Sequence, residues 1–433
     1  MEKVVSKKGD FDFGVKGYTI IGFQVVWFFF MTSMTVDGLN VIVPSIAAFR
    51  QWDPNVILAY STPASIIALF VCVIWGVFMN KFGIKQTMIA TMVLAGLATI
   101  AYGNAASIPM YVVSLVLMIT LISAFSTNVG LAICANWFPT KKGVVMGLAT
   151  IGMNLASALI NQILSRLAAA YNIAAAISIM GGAILAVALL TGIFVKDNPE
   201  AAGYLPDNDP EIAKLLHKEE EMLAKDASAQ PMTYKKALTN KVVWIMGIGY
   251  GCFGLATVGI MSQLVGFFID TKGYSPQGAI DMVTIAAIIG IVGSILWGVV
   301  DQKIGTKVTS ILFGFWYFIG ILLLLAPNTM VMWIGIFMLG FAIGGNGNFP
   351  PSMASFVFGR KDFAISYSCM NMVVGVTRSM SFVILALLRG TFSGYSIPYT
   401  VFAFISLVGA ALIAMVKVVG AVGKVSGVEV VNR

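Results

Sequence analysis

Twelve apolar stretches recur along this chain, each long enough to cross a hydrocarbon layer about 30 Å thick. They fall near residues 18–46, 56–79, 86–104, 109–135, 142–168, 172–195, 241–269, 276–300, 307–326, 330–357, 362–389 and 397–418. Within lipid a backbone has no water to bond, so each crossing must satisfy its own amides, and an α-helix does this. The sequence therefore predicts an all-α polytopic membrane protein. Composition agrees: 58% of residues are hydrophobic, 11% are charged, and the mean hydropathy is +0.90. The 44 glycines suit helices that approach closely in lipid.

Charge placement gives a topology. With the N-terminus in the cytoplasm, 22 of the 27 Lys and Arg fall on inner segments. Four fall outside (Arg50, Arg166, Lys272 and Arg389), and Arg378 remains in the membrane. This asymmetry predicts both termini in the cytoplasm of a multi-pass inner-membrane protein. The net charge of +8 is thus spread along inner loops, not gathered into a nucleic-acid patch. The apolar run after Lys16 is too long for a cleavable leader and is expected to stay as the first helix. Cys72, Cys134, Cys252 and Cys369 all lie in apolar stretches, which predicts packed thiols and neither a disulfide scaffold nor a metal site.

The one long polar interruption divides the chain into residues 1–195, a connection at 196–240, and residues 241–433. In the connection, Ile212, Leu215, Leu216, Met222 and Leu223 recur at helical spacing between charges. That pattern fits an amphipathic helix on the inner membrane surface, or a solvated one. The lone histidine, His217, lies here, away from any proton path in the membrane. The two halves echo each other. Gly76, Asn80, Lys81, Gly83 and Lys85 return as Gly298, Gln302, Lys303, Gly305 and Lys307 at an offset of 222. Asn128, Phe138 and Lys141 return as Asn348, Phe358 and Lys361 at an offset of 220. A parallel repeat of six helices fits two bundles rocking about a central site.

This organisation resembles the major facilitator superfamily over nearly the whole chain. An inner loop of that superfamily usually reads Gly-x-x-x-Asp-Arg/Lys-x-Gly-x-Lys/Arg. Gly76, Lys81 and Gly83 match it, with Asn80 at the acidic position. Gly298, Lys303 and Gly305 match in the second copy, with Asp301 one residue early. Residues 136–152, NWFPTKKGVVMGLATIG, together with Pro199, Gly203, Pro206 and Asp207, are similar to the oxalate:formate antiporter group and its monocarboxylate-porter relatives. The resemblance implies the major facilitator fold and a basic residue in the eleventh helix that binds carboxylate, a place Arg378 takes. Oxalate carriers pair that residue with a second cation in the eighth helix. The eighth stretch here holds Asp281 and no Lys or Arg, which favours a substrate with one negative charge.

Arg378 lies about 16 residues into its stretch, too deep to reach either surface. Facing lipid there would cost between about 3 and more than 10 kcal/mol, so it must face protein or a wet cavity. Tyr367, Asn371, Arg378 and Ser381 follow helical spacing and form one polar stripe. Two readings stand: a structural cation tying helices together, or a cation that holds an anionic substrate. Asp37 is the one carboxylate well inside a crossing, and Ser33, Asp37, Asn40 and Pro44 are spaced to share a face. Asp37 is expected to couple a proton or to close an outer gate. Asn154 and Asn161 sit on a stripe of the fifth helix, and Tyr250 and Thr257 on the seventh are expected to face the cavity. Asn128 and Asn348 are read as packing or gating residues. The candidate substrate contacts are therefore Arg378, Asn371, Tyr250, Asn154, Asn161 and Asn40.

No phosphate-binding Walker loop, His-Glu-x-x-His, Cys-x-x-Cys or Gly-x-Ser-x-Gly occurs, so neither an ATP-driven pump nor an enzyme is expected, and no cofactor. The expected function is secondary transport of a small or medium organic anion, a monocarboxylate first, as symport with H+ or as anion exchange. The partners expected are that anion, H+ and the bilayer, with the protein a monomer. The rivals are a proton-coupled exporter of hydrophobic compounds, for which Arg378 is unneeded, and a non-transporting sensor or scaffold, which would carry a larger soluble part.

Overall fold

The computed structural model describes residues 11–53, 56–57, 60–225, 232–392 and 394–416. Among them there is no strand. The helices that can cross a membrane are α1 (residues 14–50), α2 (Ser61–Phe82), α3 (Ile84–Gly103), α4 (Ile108–Trp137), α5 (Lys142–Ala170) and α6 (Ile173–Phe194). After the connection come α7 (residues 241–272), α8 (Pro276–Ile304), α9 (Thr306–Leu325), α10 (residues 329–358), α11 (residues 360–391) and α12 (Ser396–Met415). By length and apolarity eleven spans qualify, and one of them, Thr329–Leu385, is 57 residues long. At 1.5 Å per residue that is about 85 Å, far more than one crossing needs. Gly359, with φ 68°, breaks it into α10 and α11, and twelve crossings result.

Local signals set the helix ends. Ser107, Asn172, Asn240, Ser275 and Asn328 each accept a backbone N–H of the first turn with their side chains. Gly83 and Gly305 turn α2 into α3 and α8 into α9 at φ 90° and 88°, which only glycine adopts without strain. These are corresponding positions of the repeat. At the α4–α5 junction Pro139 stands where Gly359 stands between α10 and α11, so each half breaks its chain there by a different residue.

Helices α1–α6 pack among themselves and α7–α12 do the same. The two sets meet along two seams, α5 on α8 and α2 on α11. We call the end that carries the connection the basal end and the opposite one the distal end. The connection holds a helix, Pro210–Lys225, that leaves Lys214, His217 and Lys218 exposed, and a short one, Tyr234–Thr239, leading into α7. Ile212 is buried while Leu215 and Leu216 are half-buried, as an amphipathic helix requires; the side chains of Met222 and Leu223 lie outside the described residues. Cys134, Cys252 and Cys369 are free and buried, and the Cys72 side chain lies outside the described residues.

Candidate functional site

Helix α11 lies in a groove that glycines open on α7. Val373 packs on Gly247, Thr377 on Gly251, and the Arg378 stem on Gly254, where an added methyl would stand 3.1 Å from Cδ. Arg378 is closely surrounded by protein atoms, while part of its side chain stays accessible. Among the described residues it makes no ion pair and no hydrogen bond. Tyr367, three turns towards the basal end and stacked on Phe363 at 5.0 Å, is its electrostatic neighbour. Asn371 is half-buried on the same side of α11, without a hydrogen bond among the described residues.

The seams lie just below Arg378. On one side Leu69 of α2 fills the space over Gly375, one turn basal to the arginine. On the other, Asn154 of α5 donates to Ser294 Oγ of α8 at 2.8 Å. Ser157, one turn distal to Asn154, is exposed and donates to the half-buried Asp37 carboxylate. Arg378 and the Asp37–Ser157 pair thus stand one turn above the seams, on opposite halves. Asp37 does not pair with Arg378.

Helix α1 departs from the expectation of a single polar face. Residues Ser33–Asp37 form a π-turn, whose extra residue rotates everything beyond it by about 100°. Ser33 is consequently buried while Pro44 is exposed, so the straight-helix spacing of Ser33, Asp37, Asn40 and Pro44 does not hold; the Asn40 side chain lies outside the described residues. Gly38 follows the turn because a Cβ there would collide with the Ser33 carbonyl. A second π-turn, Ala124–Val129, carries Asn128.

The polar groups of Tyr250, Thr257, Asn154, Asn128 and Asn348 bond to neighbouring helices in this structure. Tyr250 points into its own half, its hydroxyl bonded to Ser310 of α9 at 3.0 Å, because the cavity side of α7 is taken by glycines that admit α11. Thr257 accepts from Tyr317 at 3.0 Å and Asn346 at 3.2 Å. Asn154 is buried in the α5–α8 seam, not in a cavity wall. Asn348 accepts from Thr150 Oγ1 of α5 at 2.6 Å and donates to Ser294 O at 2.8 Å. Asn128 accepts from Ser368 of α11 at 3.4 Å. The asparagine pair of the repeat therefore bridges the halves, once on each seam. Asn161 is half-buried on α5, with its Oδ1 buried and unpartnered.

The loop motifs divide into two jobs. Gly76 and Gly298 are seam glycines: a methyl on Gly76 would stand 3.3 Å from Ala364 O, and one on Gly298 would stand 2.7 Å from Gly143 O. Gly83 and Gly305 make the turns. Asn80, Lys81 and Lys303 are exposed. Asp301 is buried at the start of α5; it accepts from Ser352 at 2.6 Å and attracts Lys142, whose Nζ lies 4.6 Å over the Phe356 ring. By the repeat, Met79 takes the place of Asp301 in the first half, so among the described residues this electrostatic latch has no counterpart on the other seam.

Asp207 was carried by the sequence only as part of a family-like stretch, and its role is structural. It sits at φ 55° and accepts from Thr140 N and Thr140 Oγ1 at 2.8 Å and from Lys141 N at 3.1 Å, holding the loop that starts α5. Burial pushes its carboxyl up to about 6, and those donors hold it from rising further. Asp197 is raised by burial too, and accepts from Lys85 N at 2.8 Å. Arg360 and Glu200 form a two-pronged ion pair at 3.1 and 3.2 Å between α11 and the connection. A shallow hollow beside Leu205, Lys214 and His217 lies on the connection, away from Arg378.

Comparison with known proteins agrees with this architecture. The family model described as Major Facilitator Superfamily matches residues 25–381. The chain is 22% identical to an uncharacterized MFS-type transporter of Escherichia coli K12, YhjX, over 70% of this chain and 71% of that protein. It is 23% identical to a probable sulfoacetate transporter of Cupriavidus necator, SauU, over 54% of this chain and 53% of that one. The fold matches the proton:xylose symporter XylE with a TM-score of 0.70 at 12% identity, covering 93% of this chain and 96% of that one. It also matches the human organic anion transporter MFSD10 with a TM-score of 0.68 at 12% identity, over 92% and 99%.

Proposed function

The chain belongs to the Major Facilitator Superfamily, and from that premise we propose that it carries a small organic anion of one negative charge, a monocarboxylate first of all, by alternating access. The observation that carries this reading is Arg378: a permanent cation closely surrounded by protein, partly accessible, without a counter-ion among the described residues, and set just above the seams. A guanidinium in that position offers a carboxylate two parallel charge-assisted hydrogen bonds. Its half of the site has Asn371 on the same helix side as a polar neighbour. An uncharged hydrophobic cargo would leave that cation unmatched. One relative is described as a probable sulfoacetate transporter, and sulfoacetate is an organic anion, which supports an anion as cargo.

In this reading the subdivisions 1–195 and 241–433 move as two bodies, with 196–240 joining them. The contacts between halves named above run from the Leu69–Gly375 level, at the middle of the helices, to the basal end, which supports reading this structure as a distal-open state. The reverse state would break Thr150–Asn348, Asn154–Ser294 and the Lys142–Asp301 attraction. Asp37, on the opposite half from Arg378, is the coupling or gating group. The excess of basic residues on the basal side supports a cytoplasmic basal end in a bacterial-type inner membrane.

The test is a thermal-shift screen of the purified full-length protein against carboxylates, sulfonates, amines and neutral drugs. Monocarboxylates should raise the melting temperature saturably. A response confined to amines or neutral drugs would overturn the reading.

A further inference from the structure

Where no hydrogen bond or ion pair holds a charged head, the packing of its stem decides where the head stands. Arg378 is in that condition among the described residues. Thr257, one turn beyond Gly254 on α7, is already engaged: it accepts from Tyr317 and Asn346 and donates to Phe253 O at 2.9 Å. What α7 offers Arg378 is the bare backbone of Gly254. A methyl added there would stand 3.1, 3.3 and 3.5 Å from Cδ, Cγ and Cβ of Arg378, and no other side chain or neighbouring helix comes as near. The glycines one and two turns towards the basal end meet something different. A methyl on Gly251 would stand 2.4 Å from Thr377 Cβ, and one on Gly247 would stand 2.6 Å from Val373 Cβ.

A Cβ atom is fixed to its backbone, so Gly247 and Gly251 set how near α11 comes to α7. The methylenes of an arginine can swing to another rotamer instead. A methyl at 254 would therefore move Arg378 and leave the two helices in place. Long side chains on a helix lean towards its N-terminus, which for α11 is the basal end. Tyr367, the electrostatic neighbour of Arg378, lies on that side. The stem thus runs along Gly254 with its head hung towards the level where Leu69 of α2 meets Gly375. We propose that Gly254 is the positioning residue of the anion site: having no side chain, it seats the Arg378 stem against α7 and so fixes where the guanidinium presents its fork. This rests on Arg378 as the group that holds the anion.

The experiment compares Gly254→Ala with the parent in the full-length protein in detergent. Without any carboxylate present, modification of Arg378 by phenylglyoxal, which attacks guanidinium groups, is timed by peptide mass spectrometry, with the exposed Arg166 as reference. The rate at Arg378 should change by at least about threefold, the population shift that a displaced rotamer carries. Binding of the monocarboxylate that gives the largest shift in the thermal screen should weaken roughly tenfold, as for loss of one charge-assisted hydrogen bond. With Arg378→Gln already present, Gly254→Ala should weaken it no further. Should Gly254→Ala lower the melting temperature or fail to fold, adding Arg378→Ala should restore it, because the obstructing stem is then gone. An unaltered rate at Arg378, an unaltered Kd, or a loss of stability that Arg378→Ala does not relieve would overturn the proposal. Failure of the carboxylate reading shows differently, as an Arg378→Gln protein that binds like the parent; the modification rate then still decides whether Gly254 places the guanidinium.

Discussion

Replacing Asn154 and Asn348 together by alanine should tip the protein towards a basal-open state. In this structure each amide ties the halves once by a short bond: Asn154 Nδ2 to Ser294 Oγ at 2.8 Å, and Asn348 Oδ1 to Thr150 Oγ1 at 2.6 Å. The partners are not orphaned by the change, since Thr150 Oγ1 also reaches Met146 O at 3.1 Å and Ser294 Oγ reaches Gly344 O at 2.9 Å. The loss is therefore that of two interhelical bonds, about 0.6 kcal/mol each on average in membranes and up to about 1.7. Together they favour this state by about 1–3 kcal/mol, roughly a 5- to 150-fold change in the ratio of the two states. Asn80 and Lys303 are exposed at the basal ends of α2 and α8, on opposite halves, and can carry spin labels. Pulsed electron–electron distances between them should gain a longer population in the double variant. An unchanged distance distribution, with only a lower melting temperature, would refute the argument, because the bonds would then persist in both states.

Other outcomes follow from single residues. Burial sets the Asp207 carboxyl at about 6 against an ordinary 3.8, so between those values the folded chain binds more protons than the unfolded one. The melting temperature should fall as pH rises through that window, and Asp207→Asn should remove that part of the slope; an identical slope in the variant would contradict the assignment. Asp37→Asn should abolish uphill uptake in proteoliposomes while substrate exchange persists; equal loss of both would leave Asp37 a gate only. Cysteines placed at positions 8 and 225 should react with impermeant reagent only from the cytoplasmic side and one at 272 only from outside, and external labelling of 225 would end the proposed orientation.

Hydropathy made the crossings legible because a helix in lipid has few alternatives, and the repeat offsets placed Gly83 and Gly305 at matching turns. The break at Gly359 could be read only as a gap between apolar runs, since glycine tolerates both the helix and the turn. Asn154 and Tyr250 exposed the limit of polar stripes. An asparagine between helices looks alike in sequence whether it faces a seam or a cavity, because both environments are polar and enclosed. Tyr250 is drawn from the cavity by Ser310, a partner 60 residues away that no local pattern reveals. The π-turn in α1 left no periodic trace, so Ser33 was grouped with the wrong face. Lys142 and Asp207 carried a signal, the Thr140–Lys142 segment and the Pro206–Asp207 step in family-like stretches, but their partners are set by tertiary contact. Arg378 was legible because burying an unpaired cation in lipid is so costly that it had to line something.

The central claim is that Arg378 holds the anion, and affinity measurements on two variants test it most directly. Isothermal titration of the best carboxylate from the screen should give weakened binding in Arg378→Lys, which keeps the charge and loses the fork. Arg378→Gln should fold with an unchanged melting temperature in the absence of substrate, as Arg378 has no ion pair or hydrogen bond to lose among the described residues. Loss of charge-assisted hydrogen bonding at about 1.5–3 kcal/mol corresponds to roughly a ten- to hundredfold rise in Kd, which is the change predicted for Arg378→Gln. A well-folded Arg378→Gln protein that binds the carboxylate with the wild-type Kd would contradict the account.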